Sequence, residues 1–145
     1  MTSVTLTNTL NIQTYRALRG TTGWGMPDDD HITTALSGSF HVATAWQEGT
    51  AIGMVRIISD GALNAYVADL VVAPAQRGEG IGARLLLHII RRLAKSLPSK
   101  TTIGLMSAHG VDDFYTKLGF RARPNAREGA GFQASLGTLV EERIE

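Results

Sequence analysis

The hydrophobic positions of this chain change period several times, and each change marks an element. Val4 to Leu10 alternates apolar with polar and predicts an edge strand. Asn11 to Leu18 carries a weak helical pattern, and Gly20 to Pro27 is a loop containing Trp24. Asp28, Asp29 and Asp30 form an N-cap and first-turn cluster, which predicts a short helix over His31 to Leu36. Phe40 to Gln47 alternates again, with Phe40, Val42, Thr44 and Trp46 on one face. Glu48-Gly49 is a hairpin signal, and Thr50 to Ser59 is the return strand. Asp60-Gly61 marks a second tight turn, so Leu63 to Val72 reads as the third strand of an antiparallel meander.

A stripe of Leu85, Leu86, Ile89, Ile90 and Leu93 predicts a helix from Ile81 to Ser96, ended by Pro98. Arg84, His88, Arg91, Arg92 and Lys95 form its polar face. Thr101 to Ser107 reads as a buried strand, Val111 to Leu118 as a short helix closed by Gly119, and Phe120 to Arg123 as another strand. The tail from Gly129 has no clear period. No repeat or low-complexity segment breaks the pattern, so residues 1–145 read as one α/β domain with a mixed, mostly antiparallel sheet flanked by helices. The helix from Ile81 crosses between the strands ending at Val72 and Ser107, which predicts that those two run parallel.

Composition narrows the chemistry. With 43% hydrophobic and 19% charged residues the chain is globular. A net charge of +1 gives no basic excess for nucleic acid or a membrane surface. The absence of cysteine removes disulfides, thiol nucleophiles and thiolate metal sites. His31, His41, His88 and His109 are not spaced as a metal site, so no metal is expected. No signal peptide and no apolar run of ~20 residues is visible, so the expected compartment is the cytoplasm.

The most specific stretch is Asp69 to Leu87. An apolar strand meets Ala73-Pro74, glycines follow at Gly78, Gly80 and Gly82, and a helix starts at once. Glycine lets the backbone approach a ligand, and a helix N-terminus leaves N–H groups unpaired, so the unit forms an anion cradle. Gly78-x-Gly80-x-x-Ala83 matches the dinucleotide fingerprint in form, but no acidic residue lies between Glu79 and Asp112, and a meander precedes it. A Walker A loop needs Gly-Lys-Ser/Thr, whereas Gly82 precedes Ala83-Arg84.

Arg77-Gly78-Glu79-Gly80-Ile81-Gly82 does fit [Q/R]-x-x-G-x-[G/A], and Phe114-Tyr115-Thr116-Lys117-Leu118-Gly119-Phe120 fits F-Y-x-x-x-G-F. On these two motifs the chain resembles the GNAT superfamily of N-acetyltransferases, from about Phe40 to Phe132. Ala51 to Arg56, Ser59-Asp60, Leu63 to Ala65, Asp69 and Gly23-Trp24 resemble its bacterial and plant-type serotonin (arylalkylamine) N-acetyltransferase branch.

The resemblance implies two central parallel strands splayed around acyl-CoA. It implies acetyl-CoA as cosubstrate, held by Leu70, Val71, Val72, Arg77, Gly78, Gly80, Ile81, Gly82 and Ala83. The acceptor is a primary amine of a small molecule (an arylalkylamine, polyamine or amino acid), and the chain is a monomer or homodimer. Tyr115 is the implied acid for the departing thiolate, against the alternative of a core tyrosine beside Phe114. Backbone N–H groups near Val71 are implied for the oxyanion. Asp69 is a candidate for amine recognition or proton removal, with a salt bridge to Arg56 as the alternative. Trp24 and Tyr66 are candidates for the acceptor pocket, with core packing as the alternative. His41 on its strand also falls within reach of an acceptor cleft. Two further readings remain: a protein N-terminal or lysine acetyltransferase, and a non-catalytic acyl-CoA-binding module.

Overall fold

A computed structural model describes residues 3–143, with side chains as far as residue 141. Met1 and Thr2, part of the stretch read for a signal peptide, and Ile144 and Glu145 lie outside the described residues. The described residues fall into two compact units divided after Leu105.

The first unit contains β1 (Val4–Thr7), α1 (Ile12–Arg19), α2 (Asp29–Ser37), β2 (His41–Gln47), β3 (Thr50–Ser59), β4 (Asn64–Val72), a 3₁₀ turn (Pro74–Gln76), α3 (Ile81–Ala94) and β5 (Thr102–Gly104). Its sheet has the order β1-β2-β3-β4-β5. The first three pairings are antiparallel and β4/β5 is parallel, as the crossover through α3 requires. The fold is therefore the expected mixed, mostly antiparallel sheet with helices packed on it.

Strand periodicity assigns each face. A Cβ built on Gly53 would stand 2.8 Å from Leu85 Cδ1 and 3.4 Å from Ile81 Cγ2, so this face of β3 meets α3. The neighbouring Met54 points the other way, into a cluster with Tyr15 and Leu18 of α1 and Ile32 of α2. Both faces of the sheet are covered. That explains why Ala43, Thr44 and Ala45 are buried in succession, where alternation predicted one buried face. A register shift between Ala45 and Trp46 further breaks the predicted alignment of Phe40, Val42, Thr44 and Trp46.

Glu48 and Gly49 turn the β2/β3 hairpin at φ 51° and 76°, the left-handed pair a tight hairpin needs. The β3/β4 connection is not the tight turn expected. Asp60 Oδ1 accepts from the backbone N–H groups of Ala62, Leu63 and Asn64 at 2.9, 2.8 and 3.1 Å, organising a four-residue loop. The β5 strand is shorter and more exposed than predicted, because it pairs only at Asn64↔Thr102, Ala65↔Ile103 and Tyr66↔Gly104. Beyond Tyr66, β4 runs on to Val72 with no ladder on that side, so the two parallel strands part.

The second unit contains α4 (Asp112–Lys117) and α5 (Leu136–Arg143). Phe120 to Arg123 is not the predicted strand. Here side chains take over the backbone's bonds: Arg123 Nε donates to Gly129 O at 2.7 Å, and Asn125 Oδ1 accepts from the N–H groups of Arg127 and Glu128 at 2.9 and 3.1 Å. Arg121 Nε also donates to Glu128 Oε1 at 3.2 Å across the same loop. In the tail, which carried no period, Ser135 Oγ accepts from Thr138 N at 3.1 Å and opens α5.

Two measurements check this packing. Gly53→Val forces a side chain against buried Leu85 and Ile81 and is expected to destabilise by about 2 kcal/mol in denaturant titration; an unchanged midpoint contradicts the face assignment. The second concerns His41 and His88. Burial, and then nearby Arg92, hold the His41 imidazole below its usual range; burial with Arg92, Arg91 and Lys95 does the same to His88. Both fold in their neutral form. Their contribution is complete above the unfolded histidine value of ~6.5 and is lost as pH falls through the lower folded value. The melting temperature should drop between about pH 7 and pH 5, less steeply in a His41→Gln, His88→Gln variant.

Candidate active site

The site begins with an irregularity in β4. Met54 pairs with Val71 and Arg56 with Ala68, so β3 has one residue in the interval (Val55) and β4 has two (Asp69 and Leu70). The extra residue is a β-bulge, and Asp69 takes it up in the left-handed region at φ 53°. That conformation costs about 1 kcal/mol for a residue with a Cβ, and Asp bears it better than most. The bulge also resets the strand's phase. Val67 pairs with Ile57 on the α3 face, and Val71, an even number of residues on, pairs with Met54 on the α1 face. Without the extra residue both would share one face.

Asp69 is held by a buried polar network. Arg56 Nε donates to its Oδ2 at 2.6 Å, the Tyr15 hydroxyl donates to the same oxygen at 3.2 Å, and Arg19 Nη1 reaches Oδ1 at 3.4 Å. The side chains of Asp69, Arg56 and Arg19 are 9%, 14% and 19% exposed. At that burial an ion pair is screened far less than on the surface. Arg19 Nη1 also donates to the Tyr15 oxygen at 2.8 Å, and Arg19 Nε to Gly25 O at 2.8 Å. Its guanidinium lies 6.0 Å from the Trp24 ring centre. Arg19 thus ties the Thr21–Pro27 loop to the bulge. Burial, and then the Asp69 carboxylate, push the Tyr15 phenol above its usual range, so it stays neutral. The Arg56 pairing weighed from sequence is present. Arg19 and Tyr15 escaped notice there; the signal available was their i, i+4 spacing on α1, which stacks them toward one face.

From the bulge the strand runs through Leu70, buried Val71 and Val72 to the glycine loop. Gly78 and Gly80 sit at φ 83° and 80°, and a Cβ built on either meets no atom within 4 Å. Positive φ, rather than crowding, selects glycine there, and the space above the loop is open. Gly80 is the N-cap of α3 and makes no side-chain cap bond. The first helical bond is Arg84 N to Gly80 O at 3.1 Å, so the N–H groups of Ile81, Gly82 and Ala83 precede the helical ladder. Ile81 is buried and offers only its backbone. Arg77 is anchored by Nε to Val72 O at 3.2 Å. This donor set fits a diphosphate: fixed N–H groups, a helix dipole, glycines that admit close approach and an arginine.

In the second unit, Tyr115 lies on α4 with edge-on contacts to Phe114 and Phe120 at 5.0 and 6.0 Å. Burial raises its phenol above the usual range, which keeps the proton on at neutral pH. Tyr66 and its cross-strand partner Ile58 are 37% and 46% exposed, and Trp24 is 48% exposed. His41 faces α3 instead: Arg92 Nη2 donates to its Nδ1 at 3.2 Å, and its Nε2 is buried with no partner among the described residues. Among those residues no group of His, Asp or Glu forms a metal site, and no helix is long and apolar enough to cross a membrane.

Comparison with known proteins agrees with this architecture. The family model described as an acetyltransferase (GNAT) domain matches residues 26–135. The chain is 30% identical over 131 residues to the histone acetyltransferase TAP1 of Glycine max, covering 83% of this chain and 56% of that protein. It is 30% identical over 122 residues to serotonin N-acetyltransferase 2, chloroplastic, of Oryza sativa subsp. japonica, covering 78% of this chain and 58% of that one. The chain thus spans a little over half the length of each. Among solved structures, the probable acetyltransferase SA2161 from meticillin-resistant Staphylococcus aureus superposes with a TM-score of 0.81 at 22% identity, covering 92% of this chain and 99% of that one. Arabidopsis thaliana Naa50, in complex with the bisubstrate analogue CoA-Ac-MVNAL, superposes at 0.68 with 23% identity, covering 84% and 85%. Both likenesses are of fold.

The network gives its own prediction. Asp69→Ala leaves two largely buried guanidiniums without their carboxylate and is expected to destabilise by about 3 kcal/mol in chemical denaturation. A loss below about 1 kcal/mol would place the pairs in the weak surface class.

Proposed function

The chain belongs to the GNAT acetyltransferase family, and on that premise we propose that it transfers an acetyl group from acetyl-CoA to a primary amine of a small molecule by direct attack. One observation carries the reading. A single strand, β4, contains the bulge at Asp69 and leads directly into the glycine loop at the N-terminus of α3. The thioester and the pyrophosphate of one acetyl-CoA are both served by that strand-loop-helix unit. Leu70, Val71 and Val72 line the pantetheine end, and Arg77, Gly78, Gly80, Ile81, Gly82 and Ala83 hold the pyrophosphate through backbone N–H groups and one guanidinium.

In the reaction the neutral amine forms an N–C bond to the thioester carbonyl and the C–S bond breaks. Backbone N–H groups turned off the ladder at the bulge stabilise the oxyanion; one such donor is worth about 10²–10³ in rate. Tyr115 gives its proton to the departing thiolate; its phenol, raised above the usual range by burial, carries that proton at neutral pH. The proton lost by the amine leaves to solvent. Asp69 is an unsuitable acceptor, because its Oδ2 already accepts from Arg56 and Tyr15 and its Oδ1 from Arg19. Its proposed role is to fix the bulge. Trp24 and Tyr66 are the proposed acceptor contacts, and their exposure is the observation that favours a protein amine as the second reading.

Tyr115→Phe should lower kcat about 10²-fold in a thiol-release assay and leave acetyl-CoA affinity unchanged; an unaffected kcat removes it from the mechanism. Arg77→Glu should weaken acetyl-CoA binding at least about tenfold by calorimetry, since it reverses a charge at the diphosphate. Preference for a histone or N-terminal peptide over every small amine would instead establish the second reading.

A further inference from the structure

The charges around Asp69 do not balance. Two guanidiniums, Arg19 and Arg56, face one carboxylate, and Tyr15, the other ionisable group in contact, is held neutral. On the neighbouring helix α2, Asp29 is taken by Arg16 at 2.6 Å. Arg56 uses Nε on Asp69 and Nη1 on Ser39 Oγ at 3.4 Å. Arg19 uses Nε on Gly25 O and Nη1 on Tyr15 and Asp69. The Nη2 group of each has no partner among the described residues. A surplus positive charge is therefore kept in a mostly buried setting, where an uncompensated charge is costly.

The surplus is placed where an acceptor would arrive. Arg56 shares its sheet face with the exposed pair Ile58 and Tyr66, and Arg19 lies against half-exposed Trp24. Apolar and aromatic surface thus borders a cationic spot beside the bulge. An ammonium is repelled there, and a second cationic centre on the acceptor would be repelled again. A carboxylate is attracted, and the two free Nη2 groups supply the donors that a carboxylate takes.

We propose that the acceptor is a small amine that also carries a carboxylate, and that Arg19 and Arg56 are the residues that select it. The inference rests on the acetyl-transfer reading above and narrows its substrate class, away from arylalkylamines and polyamines. The same cations assist the chemistry. An alkylamine with a pKa of ~10.4 is almost wholly protonated at neutral pH, and neighbouring positive charge shifts it toward the neutral, nucleophilic form. Arg19 is the better probe of the two, because Arg56 holds the bulge at the shorter distance.

The test uses acceptors matched except for the carboxylate, phenylalanine with phenethylamine and tryptophan with tryptamine, in thiol release with acetyl-CoA. In the native chain the carboxylated member of each pair should be turned over with the higher kcat/KM. Arg19→Gln should raise KM for the carboxylated member about tenfold or more and leave its partner's KM within about twofold, while lost amine activation lowers kcat of both members alike. Arg19→Lys, which keeps the charge, should recover part of the loss. Equal rises in KM for both members, or native preference for the decarboxylated amines, overturns the proposal. So does turnover of neither amino acid by a protein that acetyl-CoA still stabilises against heat. Failure of acetyl-CoA to stabilise the native chain overturns the underlying reading instead, so the two failures are distinguishable.

Discussion

A single residue in the left-handed region, Asp69, sets the geometry on which the rest of this molecule depends. Its extra position in β4 flips the phase of the strand, so Val71 joins the core beneath α1 while Val67 packs toward α3. An L-residue does not hold that conformation for nothing, and here the carboxylate is seized from three sides by Arg56, Tyr15 and Arg19. Removing the carboxylate would leave two largely buried guanidiniums uncompensated, a penalty larger than the backbone cost of about 1 kcal/mol. The bulge is therefore an outcome of side-chain chemistry and not of the ladder, which it interrupts. Because β4 feeds the 3₁₀ turn and the glycine loop directly, the same network that fixes the bulge also fixes the strand that delivers Arg77 and Gly78.

Much of the fold was legible in the sequence because its signals are local. Alternation found β2, β3 and β4; the Leu85-to-Leu93 stripe found α3; Glu48-Gly49 found the hairpin. Two of the failures share a cause. Phe120 to Arg123 has a strand-like pattern, but Arg121, Arg123 and Asn125 satisfy backbone and side-chain partners within their own loop, so no ladder is needed. Asp60 does the same at the β3/β4 connection. Side chains that bond locally to backbone compete with periodicity, and a pattern of apolar positions cannot register the competition.

The candidate site divides in the same way. The glycine loop was readable because positive φ and helix N-termini leave a compositional trace in consecutive residues. The bulge was not, because it is defined by the pairing of two strands, and the partners of Asp69 lie 13, 50 and 54 positions away in sequence. Asp69 stood out only as a carboxylate in an apolar strand. That observation singled out Asp69 and left its partner open between Arg56 and a substrate ammonium.

The distinction matters for how charge is used. A lone carboxylate on β4 would have been an ammonium trap, and it would have held the amine in the form that cannot attack. Three neighbours convert it. Arg56 and Arg19 reverse the sign of the local field, and Tyr15 joins the network without adding negative charge, since burial keeps it protonated. On the proposed reading, the site therefore disfavours the protonated amine at the point where a neutral one is required. Binding must then come from elsewhere on the acceptor, from apolar contact with the Ile58–Tyr66 face and from an anionic group that neutralises the surplus. On that reading the same two guanidiniums recognise the acceptor and favour its neutral amine, and the residue that first looked like the recognition element shapes the backbone beside them.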